Sequence, residues 1–329
     1  MFTENYRSNE LLEEREEGGY PAEYLLSRIK GKRVSLITDW EPLISDTAPL
    51  ESLCPSRYKG FAAETSSAGI WKRLLAEYRW VYLQMEKSLR NIFRPFFLYS
   101  ELRTLFFCLR LKAAGEGVRI EQILASSLFS KKLKKALTGS EDIHDMLEEI
   151  EGFFMPLSFK FRGLKGIFTK DGFQGVEQHL TNHYLEYVMS SDLHPVMREF
   201  FIRLVDARNV IALYKHLRWE LKDLPYFIKG GSIKASRLRS ILDREDIFEV
   251  TLLIRSLTGI TVQIPDPTGV ENTLYRGMTR FLRKRGREIS GIGLILDYLW
   301  RCSLEAMNLG IILHGKDMER DRLRAELVL

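Results

Sequence analysis

The sequence predicts an all-α fold. Three observations carry that reading: apolar residues recur at three- and four-residue spacing along most of the chain, strand signals are weak, and an acid-led helical stretch occurs three times. Taken in order, the first 19 residues are charged and end in Gly18-Gly19, which predicts a mobile acidic tail. Pro21 opens "YPAEYLLSRIKGKRVSLI" at a helix start, where its missing N–H costs little. The stretch "IWKRLLAEYRWVYLQMEKSLRNIF" (70–93) presents one apolar face. Helices of similar type are expected near 98–114, 119–137, 141–151, 172–190, 194–219, 233–242, 246–258, 269–284, 288–314 and 317–328. "GITVQIPDP" (259–267), closed by two prolines, reads as a short extended link.

Composition sets the class. The 329 residues are 45% hydrophobic and 28% charged, as in ordinary globular proteins, and suffice for a sizeable core. A formal net charge of +5 is too mild to argue for nucleic acid. The three cysteines (Cys54, Cys108, Cys302) are far apart and odd in number, which fits reduced core residues in a cytosolic protein. No apolar run approaches the roughly 20 residues that span a bilayer, and the acidic N-terminus is unlike a signal peptide. A soluble protein, or one attached to a membrane through a partner, is expected.

The internal repeat organises the chain. "ELRTLFFCLRLK" (101–112), "DARNVIALYKHLR" (206–218) and "EAMNLGIILHGK" (305–316) each open with an acid: Glu101, Asp206, Glu305. Three residues later comes a small polar residue (Thr104, Asn209, Asn308), and nine residues after the acid a basic or imidazole side chain (Arg110, Lys215, His314). Downstream, "KKLKKALTGSEDIHDML" parallels "SRLRSILDREDIFEVTL", with Ser140 and Asp243 where helix N-caps belong. Upstream, "GVEQHLTNHYLEYV" (175–188) parallels "GVENTLYRGMTRFL" (269–282). The expected organisation is one helical domain, 20–329, of three pseudo-repeats (60–168, 169–260 and 261–329). The third lacks its downstream half, and residues 20–59, through "RIKGKRVSLITDWEPLI", are the candidate to complete it and close a ring.

An acid and an amide at i and i+3 face the same way on a helix. In an apolar helix such a pair either bonds a neighbouring element, as buried polar groups must, or lines a surface that meets a partner. The candidate partner-binding or repeat-seam residues are therefore Asp206, Arg208, Asn209, Glu305 and Asn308, with Glu101 and Arg103 in the more divergent copy.

Other constellations carry less. His179 and His183 stand at i, i+4 with Glu186 a turn away, but lack the HExxH pattern; a packed or solvated face is expected rather than a metal site. Gly230-Gly231 lacks the surroundings of a phosphate loop and reads as a turn, with Ser232 as a following N-cap. "KKLKK" (131–135) and Arg280, Arg283, Lys284, Arg285 and Arg287 form basic clusters, either solvated or facing an acidic partner. No nucleophile–base set can be argued, so no catalytic residue, metal or cofactor is expected.

Four stretches, "YLLSRIKGKR", "DARNVIALYKHLR" with "FIKGGSIKASRLRSIL", "ILDYLWRCSLEAMNLGIILHGKDMERDRLRAEL" and "SELRTLFFCLRLKAAGE", resemble in order and spacing the C subunit of V-type and archaeal-type ATP synthases, the counterpart of subunit d of the eukaryotic vacuolar proton pump. The resemblance spans about 20–329. It implies a non-catalytic, all-helical funnel on the cytoplasmic face of the membrane proteolipid ring. Such a subunit receives the central stalk and passes torque during ion transport. Thr104 in place of Asn, and the aromatic weight of "FRPFFLYSELRTLFF", depart from the pattern. The alternative is a helical-repeat scaffold that binds nucleic acid or an acidic protein through its basic face.

Overall fold

The computed structural model describes residues 11–14, 19–46, 67–219, 221, 224–261, 267–288 and 291–328. Most of the expected mobile tail lies outside these residues. In its described part Leu11 and Leu12 are fully buried, Leu12 bridges Phe129, and Glu13 is ion-paired with Arg79. The two leucines of "ELLEE" supply the anchor that its charge pattern obscured.

The described residues are all-α, with no strand longer than that isolated bridge. Among the described residues fourteen α-helices follow one another: α1 (Ala22–Arg33), α2 (Glu41–Ile44), α3 (Ser67–Gln84), α4 (Lys87–Ala113), α5 (Gly117–Ser126), α6 (Lys131–Gly139), α7 (Ile143–Phe154), α8 (Leu164–Ser190), α9 (Pro195–Trp219), α10 (Ala235–Asp243), α11 (Ile247–Thr258), α12 (Pro267–Arg285), α13 (Ile292–His314) and α14 (Arg320–Glu326). None is long and apolar enough to cross a membrane.

Several boundaries differ from the sequence reading. Pro95 lies inside α4 without ending it, and the Tyr184 hydroxyl donates to the Pro95 carbonyl at 2.9 Å. Residues 119–137 form two helices, because Ser127–Ser130 turn away to bond elsewhere. Helix α8 starts eight residues early and kinks at Gly172, whose φ of 62° and ψ of −154° suit only glycine. The helix caps are Asp142, whose side chain accepts from the His144 and Asp145 amides, and Asp246, which accepts from the Glu249 amide. Ser140 and Asp243 do not serve. Both true caps follow a turn that Ser140 and Asp243 precede, and a carboxylate there also suits the positive helix end.

By its contacts the chain forms two compact units. One comprises the described residues up to Pro21 with Leu75–Met197; the other comprises those of Ala22–Leu74 and Arg198–Leu329. Their boundaries do not coincide with the borders of the expected repeats. In the first unit, Tyr78, Tyr82, Phe96 and Phe97 pack edge-to-face with Phe93 tilted against Phe97, which gives the aromatic weight of α4 a core role. In the second, α12 and α13 run antiparallel, with the Trp300 indole donating to the Thr279 hydroxyl at 2.9 Å. A separate apolar cluster joins Trp40 and Ile44 to Ile70, Leu309, Leu323 and Leu327.

Candidate functional site

The three acids of the recurring stretch are buried, each no more than 3% exposed. Each accepts backbone or hydroxyl donors from the segment that leads into a short helix. Glu101, on α4, accepts the Leu128 amide at 2.6 Å and the Ser127 hydroxyl at 2.8 Å, just before α6. Asp206, on α9, accepts the Ser232 amide and hydroxyl at 3.1 and 2.6 Å and the Ile233 amide at 3.1 Å, just before α10. Glu305, on α13, accepts the Ile37 amide at 2.8 Å, just before α2.

The amide partners act one turn on. Asn209 donates to the Ile228 carbonyl at 2.9 Å and accepts the Ile228 amide at 2.8 Å. Asn308 treats Val328 in the same way, with both distances 3.0 Å. Thr104, fully buried beside Glu101, makes no such pair: the chain at the corresponding offset is the second half of α5, whose backbone is bonded within its own helix.

The glycine pair explains part of the geometry. Gly230 has φ of 103°, and a Cβ on Gly231 would stand 2.2 Å from Asp206 Oδ1. The turn therefore serves the carboxylate. Ser232 is correspondingly not an N-cap: Lys234 takes that position, and the Ser232 side chain is held by Asp206.

Electrostatics differ among the groups. Burial pushes the Glu101 carboxyl above the usual carboxylate range, against the opposing pull of the Leu128 amide, Thr104, Ser127 and Lys134. The Lys134 ammonium is pushed down, first by burial and then by Arg79.

The arginines of the recurring stretch lie elsewhere. Arg208 is half-buried, and Arg103 is exposed near Glu177, whose carboxyl it helps to lower against the larger effect of burial. In the basic cluster Arg280, Arg283, Lys284 and Arg287 are exposed, whereas Arg285 is held by Glu199 and Glu288. The histidine pair packs edge-to-face with ring centroids 4.4 Å apart. His179 Nε2 lies 2.8 Å from the Lys160 carbonyl, and Glu186 is claimed by Lys160 at 2.7 Å. Among the described residues no three His, Cys, Asp or Glu side chains converge as metal ligands.

One group escaped the sequence reading. Asp297 is fully buried on α13, ion-paired with Arg33 at 2.8 Å, and near Arg301 and Arg283. A lone acid in the apolar run "GLILDYLW" was its signal, since such a charge needs a buried partner.

Compared with known families, residues 56–326 match the profile of the ATP synthase (C/AC39) subunit. No curated protein matches the chain.

Proposed function

Because the chain belongs to the ATP synthase (C/AC39) subunit family, we propose that it is a non-catalytic coupling subunit of a V/A-type rotary ATPase. In this reading it joins the central stalk to the membrane proteolipid ring and transmits torque during ATP-coupled ion transport. It sits peripherally on the cytoplasmic face, held there by its partners. The family match over 271 residues carries the proposal.

The site geometry supports it. The recurring acids and amides bind backbone inside the fold, so they fit a rigid adaptor whose parts must not slip under load. We read Asp206, Asn209, Glu305, Asn308 and Glu101 as seam residues of three pseudo-repeats. Arg208 and Arg103, the more exposed members, remain the ones able to meet a partner.

The test is a pull-down of the tagged chain from detergent-solubilised native membranes, with the co-purifying chains identified by mass. Recovery of proteolipid and central-stalk subunits is expected. A chain that stays soluble, captures neither, and leaves heparin only at high salt would replace the coupling role with that of a nucleic-acid scaffold.

A further inference from the structure

Three helix ends converge at Asp297. Gly291, with φ of 72°, lets α1 approach α13: a Cβ there would lie 2.6 Å from Leu26 Cδ1. Gly293 abuts the Arg285 carbonyl in the last turn of α12, where a Cβ would lie 2.3 Å away. Gly286, just past α12, faces Asp297 itself, its Cβ position 3.6 Å from Oδ2. The close contacts bring the basic last turn of α1 (Lys30, Lys32, Arg33) beside that of α12 (Arg283, Lys284, Arg285).

Cations at helix C-termini complement the macrodipole, and that alone accounts for a few of them. It does not account for the surplus. Arg33 is ion-paired with one buried carboxylate, Asp297, and Arg283 and Arg301 are close enough to favour its charge. Arg285 takes Glu199 and Glu288, and Arg280, Lys284 and Arg287 stand exposed around them. The local field is strongly positive although the whole chain carries only +5.

We propose that this arginine-rich surface around Asp297 docks an acidic polypeptide segment. The cluster already binds carboxylates with its own residues, through Arg33–Asp297 and Arg285–Glu199, and its remaining guanidinium forks offer the same geometry outward. A membrane surface is the poorer fit, because lipid-binding faces pair cations with exposed apolar side chains. Among the described residues only Val34 supplies one here. A long polyanion is also poorer, since the patch is local and the chain as a whole only mildly basic. The inference stands on this charge geometry and not on the coupling role.

The test measures binding of a fluorescent oligoglutamate peptide to the full chain by anisotropy, at low and high salt. Binding is expected to weaken with salt and to fall on the order of tenfold in the triple variant Arg280→Gln, Lys284→Gln, Arg287→Gln, which removes three exposed charges. The triple variant Lys131→Gln, Lys132→Gln, Lys135→Gln, in the other basic cluster, should leave the affinity unchanged. Equal loss in both variants would reduce the effect to diffuse charge and overturn the site. So would no binding, or tighter binding of single-stranded DNA or phosphatidylserine vesicles that the first variant abolishes. None of these outcomes bears on the coupling role, which co-purification tests separately.

Discussion

Glu101 carries the sharpest test at the scale of single residues. Its carboxylate is fully buried, and burial outweighs the donors that favour its charge, so its folded pKa lies above its unfolded value. The folded state therefore takes up this proton first on acidification. The cost of burying the charge is present above the folded pKa and is relieved as pH falls through it; the relief is complete below the unfolded pKa. Glu101→Gln removes that contribution while keeping one acceptor for the Leu128 amide. The wild-type chain should thus gain stability relative to the variant as pH falls toward and through the ordinary carboxylate range, the window that the upward shift opens. Melting temperatures of both proteins across that range check the sign. A gap that stays constant, or moves in favour of the variant, would mean that Glu101 is not held above its ordinary pKa.

Single elements show why the recurrence was legible and where reading it stopped. The acid and its i+3 partner were visible because helical period alone sets them on one face. Whether that face met solvent or a seam was not, because the donors come from segments 19 to 27 residues away, or from the other end of the chain. Thr104 looked like a lapse in the first copy. It follows instead from the linker: where α5 continues the helix, no extended backbone remains for an amide to bind. The same contrast sets the cost of substitution. Asn209→Ala and Asn308→Ala each leave a buried amide and carbonyl, at Ile228 or Val328, without their partner. That should cost roughly 2–4 kcal/mol at the lower range for unsatisfied buried groups. Thr104→Ala breaks no such pair and should cost roughly 1 kcal/mol for the lost side-chain volume. Urea unfolding of the three variants ranks them, and Thr104→Ala as damaging as the asparagine variants would refute the linker account.

At the scale of the whole molecule, residues near the start of the chain pack against its last two helices, α13 and α14. The Ile37 amide reaches Glu305 across 268 positions of sequence, Glu41 pairs with Arg324 at 2.7 Å, and Trp40 and Ile44 complete the apolar cluster around Leu309 and Leu327. The family profile begins only at residue 56, so this strap lies outside the stretch by which the chain is assigned. Its energetic share is large nonetheless. Losing buried Trp40 and Ile44 costs about 3–5 and 2–5 kcal/mol as cavities, and Glu305 would also lose its Ile37 donor. Together these approach the roughly 5–15 kcal/mol that holds a domain folded. A chain that begins at residue 47 should therefore lose the cooperative unfolding transition of the unit containing α13. A peptide of residues 22–46 added in trans should restore it in a concentration-dependent way, because binding to the folded state alone stabilises by mass action. Calorimetry with and without the peptide reads both effects. If the shortened chain melts as the full one does, the strap is an ornament on a repeat that is already closed, and the acid at Glu305 must find its donor elsewhere.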